Sequence, residues 1–256
     1  MLVKCGDPLN YYIVIGGGIS DASSRINVEG QKKSKGSFNI SYVSQVDGNL
    51  LFYGLSYIIP TWEREDANLY KYNNEENLED IQFRSDIDLI TANGTATYWA
   101  YTLAGKDVKE ISSKLYVIVT DPENYETELK VGDEIKSIDG NTFQSVTEYV
   151  EYIQTKEVGE TVKVEVTRKK KNQTVTAPVY ELDNKKILGI ALQYAREYET
   201  DPKVNVKFKR NESGPSGGLI TTLEMYNQLT KKDLTKGYTI AGTGTIEEDG
   251  SIGQIG

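Results

Sequence analysis

The chain has no histidine and a single cysteine, Cys5, among its 256 residues. Without histidine there can be no Ser-His-Asp or Cys-His catalytic arrangement, and the commonest metal ligand is missing. A lone cysteine excludes an internal disulfide and a cysteine-rich metal site. Basic residues are in deficit: 29 Lys and Arg against 38 Asp and Glu leave a formal net charge of −9. That sign is opposite to the basic footprint of a nucleic-acid binder, so no nucleic-acid partner is expected. No stretch reaches the roughly 20 apolar residues that span a bilayer as a helix. Cys5, with Lys4 beside it and no apolar segment before it, is poorly placed for a lipid anchor. No P-loop occurs. Gly16-Gly17-Gly18 follows an apolar stretch but lacks the later glycine, the helix pattern and the acidic residue of a dinucleotide loop. The acidic residues fall in no metal-ligand spacing, so neither metal nor cofactor is expected.

What is present has the length of one large or two to three small domains. Ser37–Val46 alternates in part and predicts a strand. Asn49–Ile59 predicts a short helix ended by Pro60. Tyr70–Asp80 is polar and reads as a loop, and Asp86–Leu103 reads as a helix weakened by Gly94 and its threonines. Further on, Asp139-Gly140 between apolar residues signals a hairpin. Ser145–Gln154 predicts an amphipathic helix. Val162–Thr167 and Gln173–Val179 predict strands joined by a solvated basic tip, Arg168–Lys171. Asp183–Lys186 is a polar linker candidate. Toward the end, Lys203–Lys209 is strand-like, an apolar helix pattern runs to about Leu229, Lys236-Gly237 is placed as its C-cap, and Tyr238–Ala241 predicts a strand.

The turn Gly214-Pro215-Ser216-Gly217-Gly218 sits between that strand-like segment and that helix. A serine there lies among unpaired backbone N–H groups at the positive end of a helix dipole, where an oxyanion is also stabilised. A hydroxyl needs a base to act as nucleophile. With no histidine, the remaining common solution is a lysine whose pKa burial depresses. Lys231, Lys232 and Lys236 fall late on the helix, where cations suit its C-terminus, and Lys207 and Lys209 precede the turn. The bland alternative for Ser216 is a flexible Gly-Pro-Ser turn, and for Thr243 a strand-forming residue.

Read together, Gly-Pro-Ser216-Gly-Gly and Thr239-Ile-Ala-Gly-Thr243-Gly-Thr-Ile-Glu-Glu-Asp-Gly250-Ser-Ile-Gly-Gln-Ile-Gly256 resemble the proteolytic domain of Lon-type serine proteases. The resemblance implies a Ser-Lys dyad with Ser216 as nucleophile, Thr243 as a supporting residue, and a general-base lysine expected a few residues beyond Gly256. Upstream, Leu115-Tyr-Val-Ile-Val119, Leu129-Lys-Val-Gly-Asp133 and Ile138-Asp-Gly140, followed by a helix from Val146 and a strand at Val162–Thr167, look like a PDZ domain of the permuted bacterial form. Tyr11–Gly18 and Lys35–Ser41 are similar to the juxtamembrane stretch of PDZ-containing Lon-like proteases of Gram-positive bacteria. The implied peptide groove is lined by Leu115, Val117, Val146 and Val150. Lys114 stands where family members usually carry a glycine.

The expected fold class is α+β, with an N-terminal juxtamembrane α/β region at 1–107, a PDZ-like domain at 108–182 and an incomplete Lon-type proteolytic domain at 183–256. The expected function is an ATP-independent serine endopeptidase acting on peptides or proteins at the extracellular face of the membrane. It would be tethered only through an N-terminal helix outside this chain, open to homo-oligomerisation, and inactive without the lysine. Two alternatives remain. One is a non-enzymatic PDZ-type peptide-binding surface module; the other is an adaptor pairing with another chain through strand Tyr238–Ala241.

Overall fold

The computed structural model describes residues 8–31, 34–207, 214–230 and 232–253. In chain order, β1 (Pro8–Asp21), β2 (Ile26–Val28) and β3 (Ser37–Asn49) precede helix α1 (Leu50–Leu55) and β4 (Glu63–Asp66). After a 3-10 turn at Ala67–Tyr70 comes the long helix α2 (Leu78–Ala104), then β5 (Asp107–Thr120), β6 (Glu134–Ile138), α3 (Val146–Gln154), β7 (Thr161–Arg168) and β8 (Lys171–Pro178). The chain continues through β9 (Tyr180–Leu182), β10 (Lys185–Ile187), β11 (Ile190–Asp201), β12 (Val204–Val206), α4 (Gly218–Leu229) and β13 (Thr239–Gly242). The fold is mixed α/β and gathers into two compact units. One takes in the described parts of Met1–Asn74, Thr95–Val108 and Thr200–Gly256; the other comprises Glu75–Gly94 and Lys109–Glu199.

In the first unit a four-stranded sheet runs in the order β13-β3-β1-β4. All its pairs are antiparallel except β13, which joins β3 in parallel with Thr239 opposite Ser37 and Gly242 opposite Ile40. Gly16–Gly18 lie inside β1, at an irregularity of its pairing with β3. A Cβ at Gly17 would come within 1.6 Å of the Tyr42 carbonyl oxygen, so this triplet serves close strand approach. The core joins Ala22, Ile26, Val28 and Phe38 to Ala100 and Tyr101 of α2 and to Ile220, Met225 and Leu229 of α4. Helix α4 also carries buried polar side chains. Gln228 accepts from the Val28 N–H and donates to the Ile26 carbonyl, so one amide satisfies both backbone groups along β2. Buried Glu224 accepts from Ser23 Oγ at 2.8 Å and from Gln228 Nε2 at 2.6 Å.

The second unit holds the five-stranded sheet β11-β5-β6-β7-β8 and the β9–β10 hairpin. β7 alternates exposed and buried residues, and Val162, Val164 and Val166 face a core with Leu115, Val117, Ile138, Tyr149, Ile153 and Leu188. Lys169 and Lys170 both have positive φ, 49° and 66°, and close the β7–β8 hairpin as the two-residue turn that matches strand twist. The solvated tip expected there is thus those two lysines. Arg168 turns inward instead: its Nε and Nη2 reach Asp133 at 2.6 and 2.7 Å, and Asp133 is fully buried. Asp139 and Gly140, at φ 48° and 80°, form the expected tight turn, which closes a single bridge between Ile138 and Asn141.

Three expectations need correction. Helix α2 starts eight residues before Asp86, because Asn77 Oδ1 accepts the N–H groups of Glu79 and Asp80 and the acidic pair suits the helix's positive end. The polar composition of the first turn hid it. Asp183 and Asn184 have φ of 49° and 60° and turn β9 into β10, so that stretch is a hairpin tip and not a linker. Helix α4 ends at Leu229 with Thr230 extended, and Lys236-Gly237 is a separate turn beyond it.

Removing the Arg168 guanidinium leaves a buried carboxylate whose desolvation is no longer offset. We expect Arg168→Ala to cost about 3 kcal/mol of unfolding free energy. Chemical denaturation followed by circular dichroism would check this, and an unchanged midpoint would refute it.

Candidate functional site

In the first unit, Ser216 stands exposed two residues before α4. Gly214 has φ of +84°, which lets the chain reverse into Pro215. Gly217 is the N-cap residue, and a Cβ there would meet Ile40 Cδ1 at 3.2 Å. The Ser216 carbonyl accepts from two donors of one segment, the Gly244 N–H at 2.7 Å and Thr243 Oγ1 at 3.0 Å. Leu219 N–H returns a bond to the Gly244 carbonyl at 3.0 Å. Two motifs 27 residues apart are thus clipped together by two backbone bonds and the Thr243 hydroxyl, which holds the Ser216 backbone while its hydroxyl stays at the surface. Among the described residues that hydroxyl has no hydrogen bond to a lysine or carboxylate. Lys207, Lys232 and Lys236 make none to it, and Lys209, Lys231 and Gly256 lie outside the described residues. No group of three His, Cys, Asp or Glu is placed to hold a metal among the described residues. No helix there is long and apolar enough to cross a membrane.

In the second unit the geometry that matters is an edge. β5 lies inside the sheet, between β11 and β6, and the side chains of Leu115 and Val117 are buried in the core. They therefore do not line an open strand. The terminal strand on that side is β11, entered through Leu188 and Gly189. Gly189 has φ of +65°, and a Cβ there would come within 2.3 Å of the Tyr125 side chain, so no other residue fits this turn. Leu188 and Tyr194 are buried, and Ile190 and Leu192 pack half-buried against the same core.

Helix α3 runs alongside β11 in the opposite direction. Near its N-terminus, Phe143 and Gln144 carbonyls accept from Tyr194 Oη at 2.8 Å and Arg196 Nη2 at 3.3 Å. At its C-terminus, Gln154 exchanges bonds with the Lys186 backbone, Oε1 accepting the N–H and Nε2 donating to the carbonyl, both at 2.9 Å. Ser145 caps α3 by accepting the Glu148 N–H, and Tyr149 and Ile153 are its buried stripe. Val146 and Val150, one turn apart beside that stripe, are exposed. The helix end is fixed by Asp139, which accepts from Tyr152 Oη, the Lys163 N–H and Lys156 Nζ.

Before β5, Ser112–Lys114 carries no glycine, whereas Ile187-Leu-Gly-Ile-Ala-Leu192 is an apolar strand entered through one, in a stretch expected to belong to the following domain.

The family model of the PDZ domain matches residues 104–179, and the chain contains a PDZ domain there. Similar solved structures include the PDZ domain of an SdrC-like protein from Listeria monocytogenes, 32% identical over 30% of this chain and 85% of that one, with a TM-score of 0.28. The corresponding domain from Listeria innocua is 28% identical over 31% and 92%, also at 0.28. A Geobacillus thermodenitrificans protein is 26% identical over 30% and 94%, again at 0.28. None of the curated proteins matches the chain. PDZ domains are peptide-binding modules that take an extended segment onto a sheet edge.

Burial opposes ionisation of Asp139, but the Lys163 N–H, the Lys156 ammonium and the Tyr152 hydroxyl outweigh it and hold the carboxyl below its usual value. A depressed folded pKa contributes stability that is complete above the unfolded value of about 3.9 and is lost as pH falls through the folded value. Acidification below about pH 4 should therefore loosen the C-terminal end of α3. Thermal unfolding followed from pH 6 to pH 2.5 should show a smaller acid loss in Asp139→Asn, which also tolerates positive φ. An identical pH profile in both proteins would refute the assignment.

Proposed function

We propose that this chain is the peptide-recruiting and nucleophile-bearing part of a serine endopeptidase that works without ATP. The PDZ domain captures an extended polypeptide on β11, with α3 as the facing wall and Val146 and Val150 as its exposed apolar positions. The N–H groups following Leu188, at the positive-φ Gly189, receive the terminal carboxylate. Ser216 Oγ attacks the carbonyl of the scissile bond, and a neutral lysine following Gly256 takes the hydroxyl proton. The amine leaves with a proton returned by that lysine, and water releases the acyl group from Ser216. The lysine, outside this chain, is carried by the likeness of the Ser216 and Thr243 motifs to Lon-type proteases. The same likeness supports the further proposal that the protein works at the extracellular face of the membrane, tethered by an N-terminal helix.

The observation that carries the reading is the clip on the Ser216 carbonyl by Thr243 Oγ1 and the Gly244 N–H. An ordinary flexible turn would not need two donors from a segment 27 residues away. Thr243 has the part of a positioning residue: it fixes the backbone of the nucleophile and leaves its hydroxyl free.

The second reading, a peptide-binding module without catalysis, is favoured by the PDZ match at residues 104–179. The two separate in one experiment on the protein extended past Gly256, using a fluorophosphonate probe. Endopeptidase function predicts covalent labelling at Ser216 that vanishes in Ser216→Ala. Thr243→Val should slow labelling by about tenfold, the equivalent of one weakened positioning bond of about 1.4 kcal/mol. A folded extended protein that neither labels nor cleaves, yet binds peptides, would leave the module reading.

A further inference from the structure

The peptide edge of the PDZ domain is not open along its whole length. Helix α2 belongs in part to the same compact unit, through residues 78–94. Its Thr91 Oγ1 donates to the Tyr194 carbonyl at 2.9 Å. Three residues on, a Cβ at Gly94 would come within 2.5 Å of the Arg196 carbonyl oxygen and 3.5 Å of the Tyr198 ring. Tyr194 and Arg196 are two residues apart, so their carbonyls point to the same side of β11. β5 pairs with β11 on its inner side, and the helix meets these carbonyls on the outer one. The Asp88 carboxyl, one turn earlier on α2, is hydrogen-bonded to the Gln193 side chain and raised by burial, as expected of a group pressed against the strand.

We infer that α2 acts as a stop on the peptide edge, so that the groove accepts only the last three or so residues of a free C-terminus. This rests on the reading of β11 and α3 as the peptide groove. A peptide pairing antiparallel with β11, its carboxylate at Gly189, bonds to alternate residues of the strand. Ile190 and Leu192 are the first two such positions. The next is Tyr194, whose carbonyl Thr91 already occupies, and Arg196 beyond it lies under Gly94. Residues upstream of the third from the C-terminus must therefore leave the strand and add no backbone pairing. The occupant is defined chemically: a chain end with a free carboxylate and small reach, such as a newly cut polypeptide terminus, in preference to an internal extended segment.

Glycine at position 94 fits this role. It lies inside a helix, where alanine would favour the helical state, and only the absence of a Cβ lets the helix backbone touch the strand. The Thr91 hydroxyl then supplies the donor that the third peptide residue would otherwise bring.

Fluorescence anisotropy with labelled peptides of three, five and seven residues sharing one C-terminus tests the stop. The protein as it stands should bind all three within about twofold of one another, and amidated versions should not bind. Gly94→Ala, which forces α2 away, should bind the seven-residue peptide about tenfold more tightly than the three-residue one. Thr91→Val, which keeps the shape and removes only the donor, should show a smaller gain of the same sign. Wild-type affinity that climbs with length as steeply as in Gly94→Ala would overturn the stop while leaving the groove intact. So would a flat length dependence in both variants. Failure of every free-carboxylate peptide to bind any of the proteins would remove the groove itself, and the stop with it.

Discussion

A strand at the end of a sheet has a row of N–H and C=O groups that the sheet does not pair, and each must find a partner or face water. Much of this chain is arranged around that requirement. In the first unit, Gln228 on α4 turns its amide to both backbone groups along β2, and β13 extends the sheet by pairing in parallel with β3. In the second, β11 ends the sheet, and its outer carbonyls meet α2 at Tyr194 and Arg196. The part left over, from Gly189 to Leu192, is where the proposed peptide groove lies. Function and edge management are thus the same question asked at two ends of one strand.

The two candidate sites rest on different kinds of support. The groove combines side chains that pack, Leu188 and Tyr194 below and Val146 and Val150 beside, with a backbone that can pair. The Ser216 turn is held largely through main-chain groups, with glycines at 217 and 244 allowing neighbouring side chains to approach. A site positioned by backbone leaves its side chain free for chemistry, and Ser216 shows that arrangement with its hydroxyl at the surface.

Local signals carried much of the fold. The Asp139-Gly140 and Lys169-Lys170 turns, the Ser145-capped helix and the alternation of β7 were all legible, because each is set by residues within one turn or one strand. Where polar side chains do structural work, the pattern misled. Asn77 begins a helix within a run that composition alone marks as loop, and Asp183-Asn184 makes a hairpin tip out of an apparent linker. Arg168 looked solvated beside three lysines, yet it reaches a buried aspartate 35 residues away, which no local pattern encodes. The interior position of β5 was hidden for the same reason. Leu115 and Val117 have the composition of a binding strand, but sheet order decides which strand is terminal, and that order depends on β11 arriving from far along the chain.

That distance has a consequence for how the protein comes into being. β7 and β8 meet across two residues, and the β6–β7 pairing closes a modest loop, so this half of the sheet forms with little loss of chain entropy. β11 begins at Ile190, whereas its neighbour β5 ends at Thr120. Its pairing with β5 is remote in sequence, and contacts of that kind form slowly. During synthesis, then, a chain that has emerged only as far as β8 already contains most of the residues of the domain's core and none of β11. The edge proposed for peptide capture is therefore among the last parts of the sheet to be made.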